Sequence, residues 1–302
     1  MSNVISASRR TDIPAFYADW FIRRLRAGSV TVLQPYSRRP SVVSLLPEDV
    51  SAVIFWSKNY APLLSRLDAV EKTSRNLFFH FTITANHELE GAVPDHRDAV
   101  KDFLFLCRRY GTDRVLWRYD PICVTDKLSF EMHVERFAAL AEKLEGKVKK
   151  CVISFVHPYK KVVANMAKYG NQTLAPLSDE VKRDFAHRLA LRAEVKGIRM
   201  YACCNDYLLS GSVGKASCVD GAYLSKIFKT PLDTRPASLR EECACTRSID
   251  IGAYDTCGHG CLYCYANTDK NRAGAALLKH DPSWNALGGQ VNDAGVLSGA
   301  KE

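Results

Sequence analysis

A chain of 302 residues with 47% hydrophobic side chains can bury a large core, and one α/β barrel fits that length as well as two smaller domains. No apolar run approaches the roughly 20 residues of a membrane span, and Met1 leads almost at once into an apparent strand, so neither a membrane anchor nor a signal peptide is expected. The net charge of +9 suits a polyanion such as nucleic acid, but the basic residues are scattered and solvated helix faces account for most of them.

Val4 to Ser8 is a short apolar run that reads as a strand, ending in Ser8-Arg9-Arg10-Thr11-Asp12. Asp12 is a good N-cap and Pro14 suits a first helical turn, which predicts one helix to about Arg26, stopped by Gly28. Val30 to Gln34 and Ser41 to Leu46 predict a hairpin. Ala52 to Trp56 is a continuous apolar run, the pattern of a strand covered on both faces. Similar runs recur at Leu77 to Ile83, Val115 to Trp117, Cys151 to Val156 and Ile198 to Cys203, with a further strand at Arg247 to Ile251. Helices fit Pro62 to Glu71, Asp95 to Tyr110 and Lys160 to Tyr169. Ser129 and Ser178 cap two amphipathic helices, carried by Phe130, Val134, Phe137, Ala141 and Leu144, and by Val181, Phe185, Leu189 and Ala193. Alternating strands and helices argue for a parallel sheet with right-handed crossovers. Seven strands in this length favour a TIM-like (β/α) barrel, complete or partial, as one domain over residues 1–287. Residues 288–302 are small and polar and predict a frayed tail.

Of eleven cysteines, eight fall between Cys203 and Cys264. That is metal-like clustering, unlike a disulfide framework spread over a small secreted domain, and a reducing compartment, the cytoplasm, is expected. Cys257, Cys261 and Cys264 stand at C-x3-C-x2-C spacing in a Gly-rich polar loop, 255–267. Three thiolates from one loop leave one iron of a 4Fe–4S cube open. A structural zinc loop is the alternative, although zinc sites usually come as closed sets of four. Cys243-Ala244-Cys245, Cys218 and Cys203-Cys204 offer thiols for a second iron–sulfur cluster or a zinc ion, with Cys203 and Cys204 equally placed as ligand; small buried hydrophobes are the alternative. Cys107, Cys123 and Cys151 have no partners in sequence and read as core. Predicted strand ends add Ser57-Lys58-Asn59, Arg118-Tyr119-Asp120, His157 and Asn205-Asp206, with Arg118 and Asp120 a natural ion pair. His259 inside the loop is either a second-shell donor to the cluster or a surface residue.

The C-x3-C-x-aromatic-C motif, with Tyr263 as the aromatic, resembles the cluster loop of the radical S-adenosylmethionine (SAM) enzymes. Asp250 to Asn267, together with Ser6 to Pro14, resembles the uncharacterised family "domain of unknown function 1848" over nearly the whole chain. The family's pattern has cysteines corresponding to Cys204, Cys218, Cys243 and Cys245. In radical SAM enzymes the cluster loop follows the first strand of the barrel, whereas here it comes last. The resemblance therefore implies a circularly permuted barrel in which the final strand closes beside the first. It implies a 4Fe–4S cluster on Cys257, Cys261 and Cys264 that binds SAM at its open iron and cleaves it to a 5′-deoxyadenosyl radical. That radical abstracts hydrogen from a substrate held in the barrel, with flavodoxin or ferredoxin as electron donor. Ser8, Arg9, Asp12 and Tyr263 are the residues expected to meet SAM. Ser8 to Asp12 stand where these enzymes carry a glycine- and acid-containing segment, which is absent here in its usual form. Tyr263-Cys264-Tyr265-Ala266-Asn267 is also similar to the cluster loop of spore photoproduct lyase, which keeps a nucleic-acid substrate open. A SAM-independent iron–sulfur redox protein and a zinc-stabilised nucleic-acid-binding protein are the alternatives.

Overall fold

The computed structural model describes residues 2–35, 37–237, 240–292 and 296–298. In chain order β1 (Asn3–Ala7), α1 (Ile13–Phe16) and α2 (Ala18–Ala27) lead into a hairpin of β2 (Ser29–Leu33) and β3 (Pro40–Ser44). Then follow β4 (Val50–Ser57), α3 (Ala61–Leu64), α4 (Leu67–Glu71), β5 (Leu77–Thr82), α5 (His96–Tyr110), β6 (Val115–Ile122), α6 (Phe130–Lys143) and β7 (Lys150–Phe155). The second half carries α7 (Lys160–Asn165), α8 (Asp179–Glu194), β8 (Arg199–Ala202), β9 (Val213–Lys215), α9 (Gly221–Phe228), β10 (Ile249–Asp250) and α10 (Lys270–Leu278). Among the described residues no helix is long and apolar enough to cross a membrane.

The apolar runs become one eight-stranded parallel sheet in the order β10-β1-β4-β5-β6-β7-β8-β9. The final strand lies beside the first, with Ile5 opposite Ile249 and Ser6 opposite Asp250. Among the described residues no pairing joins β9 to β10, so the sheet is open where a closed barrel was one of the expected forms. It is nonetheless curled. Strands lie about 4.8 Å apart, so β5 and β9 would be about 19 Å apart in a flat sheet. Yet His80 Nε2 on β5 is 2.8 Å from the carbonyl of Cys218, three residues past β9. Three residues reach at most about 10 Å, and the His80 side chain stands roughly perpendicular to the sheet and adds little along it, so the sheet bends.

Alternation along the strands separates two faces. Ile5, Phe55, Phe79, Phe81, Trp117, Tyr119, Ile153 and Met200 face the helices and form the main core. On the concave face the lower halves of the strands are apolar. Val4, Ala52, Ile54, Phe78 and Val152 there pack against Leu224 and Phe228 of α9. The upper halves carry Ser6, Trp56, His80, Arg118 and Asp120, so the polar residues gather at the C-terminal ends of the strands, where open α/β sheets bind ligands.

Local chemistry explains most boundaries. Asp12, Asp95, Ser129, Ser178, Asp220 and Asp269 each accept a backbone N–H at a helix start. Gly28 ends α2 in the left-handed region at φ 71°. Three expectations are corrected. The single helix from Asp12 breaks at Tyr17, whose backbone leaves the helical region at φ −130°. The helix at Pro62 to Glu71 is two short pieces, with Arg66 at φ −115° between them and paired with Asp19. The sheet gains β9, too short and too polar to register as an apolar run, and α9 behind it. Within the expected tail, Gln290–Val291 (β11) and Leu297–Ser298 (β12) pair antiparallel, while residues 293–295 and 299–302 lie outside the described residues.

Gly252 marks the tightest approach, where β10 leaves the sheet. A Cβ added there would sit 1.9 Å from Ser8 Oγ, whereas at Gly274 inside α10 no atom lies within 4 Å. Urea unfolding should therefore show Gly252→Ala losing about 1–3 kcal/mol through overpacking and Gly274→Ala gaining about 0.5–1 kcal/mol.

Candidate metal and cofactor site

The C-terminal ends of the strands bring both cysteine groups to one side of the sheet. β10 delivers the 257–264 loop, and Asp250 fixes its base. The carboxylate accepts from Ser8 Oγ at 2.7 Å, Ser6 Oγ at 3.0 Å, Arg9 N at 2.7 Å and Gly252 N at 3.0 Å. Beyond Gly252 the loop is held by its backbone. Tyr17 OH donates to the Thr256 carbonyl at 2.6 Å, and Asn267 Nδ2 to the Cys257 carbonyl at 2.8 Å. The Lys270 ammonium meets the Cys261 carbonyl. The segment after β5 clamps the other side, with Leu262 N donating to Leu89 O at 2.8 Å and Ala92 N to His259 O at 2.9 Å. The kink at Tyr17 thus turns a residue of the N-terminal helices onto the cysteine loop.

Two buried polar pairs complete the support. His259 Nε2 lies 2.7 Å from Asp12 Oδ2, and Asp12 also accepts from Ser57 Oγ at 2.7 Å and Lys58 N at 2.9 Å. His259 is therefore a buried partner of Asp12, not a surface residue. Asp12 is more than a helix cap. The Lys58 ammonium stands 3.0 Å from Glu90 Oε1, which also accepts from Thr84 Oγ1 at 2.5 Å and from the hydroxyl of Tyr263. Burial alone would lower Lys58 and raise Glu90. Their mutual attraction, with the Thr84 and Tyr263 hydrogen bonds on Glu90, reverses both, so Lys58 sits above and Glu90 below its ordinary range.

Two of the loop thiols, Cys257 and Cys261, are in a setting that does not ionise them. Burial, then the nearby Cys264 and Asp12 charges, push Cys257 well above its usual value. Burial carries Cys261 to about 12 against the pull of Lys58. Thiols held this way remain neutral unless a cation neutralises them, which fits a metal-bearing loop.

The structure also brings together Cys203, Cys204, Cys218, Cys243 and Cys245. Cys203 Sγ is 3.2 Å from Cys218 Sγ and 4.0 Å from Cys204 Sγ. All five are free thiols; Cys245 is hydrogen-bonded to Cys218, and Cys243 to Cys204. Both members of the Cys203-Cys204 pair therefore join the group. Arg118 Nη1 donates to Cys218 Sγ at 3.1 Å. Thiol hydrogen bonds from Cys203 and Cys245 outweigh burial at Cys218 and, with Arg118, hold it well below the usual value. Cys204 falls to about 6 through Cys203, against burial and with help from Arg240. Beneath lie Trp56 and His80, stacked at 3.9 Å, with Arg9 and Arg118 5.0 and 5.4 Å from the Trp56 ring. Arg118 pairs with Asp120 at 2.5 Å as its spacing suggested. Cys107 and Cys151 are buried in the main core, and Cys123 is buried in the small apolar cluster that also holds Cys261 and Tyr263. His157 is exposed and packs on Tyr159.

Glu90 and Tyr17 escaped the sequence reading. Glu90 lies eight residues past the end of β5, in a loop with no motif to mark it. Tyr17 looks like one more helical aromatic.

The Lys58–Glu90 pair yields a signed prediction. Glu90, depressed on folding, contributes stability above the ordinary carboxylate range and loses it as pH falls through its folded value. Lys58, raised on folding, loses its contribution only as pH rises past the ordinary lysine range. From about pH 5 to 10 both act. Glu90→Gln and Lys58→Met should each cost about 3–5 kcal/mol near neutral pH, and the double variant less than the sum. In urea titrations the gap between wild type and Glu90→Gln should shrink on acidification.

A family model described as a domain of unknown function (DUF1848) matches residues 4–266. No curated protein matches the chain.

Proposed function

The chain belongs to the DUF1848 family, and from that premise we propose that it is a radical SAM-type enzyme built on a partial, circularly permuted (β/α) barrel. The single observation that carries this reading is the loop of Cys257, Cys261 and Cys264 at the C-terminal end of β10, with β10 paired beside β1. The curled sheet and the pairing of last strand with first support the permuted barrel. A 4Fe–4S cluster with one open iron supplies, when bound, one-electron cleavage of SAM and hence a 5′-deoxyadenosyl radical.

The remaining roles belong to the chain. Cys257, Cys261 and Cys264 would hold the cluster, with Lys58 and Lys270 offsetting its negative charge. Asp12 with His259, and Glu90 with Tyr263, keep the loop from shifting. Ser8, Asp12 and Tyr263, expected to meet SAM, are committed to Asp250, the α1 start and Glu90, so their share is to fix the site. Arg9, lying over Trp56, is the cation presented at the mouth. The apolar floor closed by α9 would keep water from a substrate lying over Trp56 and His80. A flavodoxin or ferredoxin would deliver the electron, in a reducing compartment such as the cytoplasm.

The case for iron rests on ligand number in the 257–264 loop: three thiolates leave one iron of a cube open, whereas zinc sites usually close with four ligands. The second group would hold an auxiliary cluster, with Arg9 and Arg118 offsetting its charge.

Anaerobic reconstitution tests the reading. Cys261→Ala should keep near-wild-type circular dichroism, since the strands and helices carry the core, yet form no 5′-deoxyadenosine with SAM and dithionite. SAM cleavage by that variant at the wild-type rate would leave a SAM-independent redox protein as the better account. Wild type should bind about eight irons, two cubes, and Cys218→Ala or Cys245→Ala about four. Zinc with little iron in protein purified anaerobically would favour the zinc-stabilised nucleic-acid-binding alternative.

A further inference from the structure

Away from both thiol groups, the segment after β5 ends in three side chains with metal-ligand chemistry. His87 Nε2 and His96 Nδ1 face each other at 3.3 Å. Asp95 Oδ1 lies 3.6 Å from His96 Nδ1. All three ligand atoms are within 4.8 Å of one another. An imidazole pair at 3.3 Å is long for a hydrogen bond, but it matches the edge of a tetrahedron with 2.0–2.1 Å metal bonds, about 3.4 Å. Neighbouring oxygen and nitrogen at 3.6 Å need only a small adjustment to complete a His-His-Asp face.

We propose that His87, Asp95 and His96 form a surface site for a borderline divalent metal such as zinc or nickel, with a fourth position left open. A cavity of about 180 Å³ lined by His87, His96, Arg136 and Lys143 adjoins the site and gives that position room for water or an anion. The charges facing it are accounted for. Arg136 is paired with Glu88, with Nη1 at 2.8 Å from Oε2. Lys143 faces the open side, where it would favour an anionic fourth ligand. Arg97 holds Asp95 in an exposed pair at 2.9 Å, and its guanidinium must swing aside for metal to enter. Exposed pairs of this kind are worth little, so the displacement is inexpensive.

The position gives such a metal a consequence. His87 and His96 bracket the segment containing Leu89, Glu90 and Ala92, the residues that clamp the cysteine loop. A metal joining the two ends closes that segment covalently and removes freedom from the clamp in the unfolded and partly opened chain. The ligands suit nickel or zinc because imidazole is their preferred donor, while the thiols prefer iron and zinc. Nickel is therefore the probe of choice.

The test is equilibrium dialysis of tag-free, iron–sulfur-reconstituted full-length protein against micromolar Ni²⁺, with nickel-edge X-ray absorption and thermal unfolding. Wild type should take up one nickel per chain with only nitrogen and oxygen ligands, and its Tm should rise with metal. His87→Ala and His96→Ala, both at solvent-reached positions, should keep the fold and lose at least about tenfold in affinity together with the Tm shift. No uptake at micromolar metal, sulfur in the nickel shell, or undiminished binding in either His variant would overturn the proposal.

Discussion

Asp12 accepts four hydrogen bonds, from Ala15 N at 3.0 Å, Ser57 Oγ at 2.7 Å, Lys58 N at 2.9 Å and His259 at 2.7 Å. That fills the acceptor capacity of a carboxylate. In doing so it ties the start of α1, the end of β4 and the cysteine loop to one buried point. A buried carboxylate is tolerable only when it is satisfied in this way, so the three elements cannot separate without exposing an expensive charge. Cys257, Cys261 and Cys264 lie on either side of His259, the residue so held. Their placement follows from this constraint as much as from the cysteine spacing.

Charge is divided along the open end of the sheet. On one side Lys58 and Lys270 reach the 257–264 loop, Lys58 balanced by Glu90. On the other, Arg118 is shared between Asp120 and Cys218, and Asp120 in turn bonds Ser154. Between them the Trp56–His80 stack forms a flat aromatic surface under two guanidiniums. His80 is driven down to about 3 by burial and by Arg118, so this surface stays uncharged at neutral pH. A mouth with cations at the rim and a neutral aromatic floor suits an anionic or aromatic ligand better than an aliphatic one. The net charge of the chain points the same way only weakly, since most basic residues lie on helix faces.

Much of this architecture was legible in the sequence because it rests on local chemistry. Continuous apolar runs marked β4, β5 and β7. Asp12, Ser129 and Ser178 marked helix starts, and the C-x3-C-x2-C run marked the loop. The cysteine loop at the end of the run of strands and helices correctly placed the last strand of the main sheet beside the first. What stayed hidden depends on distant partners. Tyr263 and Glu90 meet across 173 residues, and Tyr17 and Thr256 across 239. No periodicity carries such information. β9 was missed because three residues among glycines and serines give no pattern. Cys203 and Cys204 could not be separated because both converge on the thiol group.

The central claim is that the 257–264 loop holds a cluster whose open iron binds SAM. Electron paramagnetic resonance of the dithionite-reduced, reconstituted protein, recorded with and without SAM, tests it most directly. The account predicts a reduced 4Fe–4S signal whose g values change when SAM is added. A signal indifferent to saturating SAM, or no reduced-cluster signal at all, would contradict it.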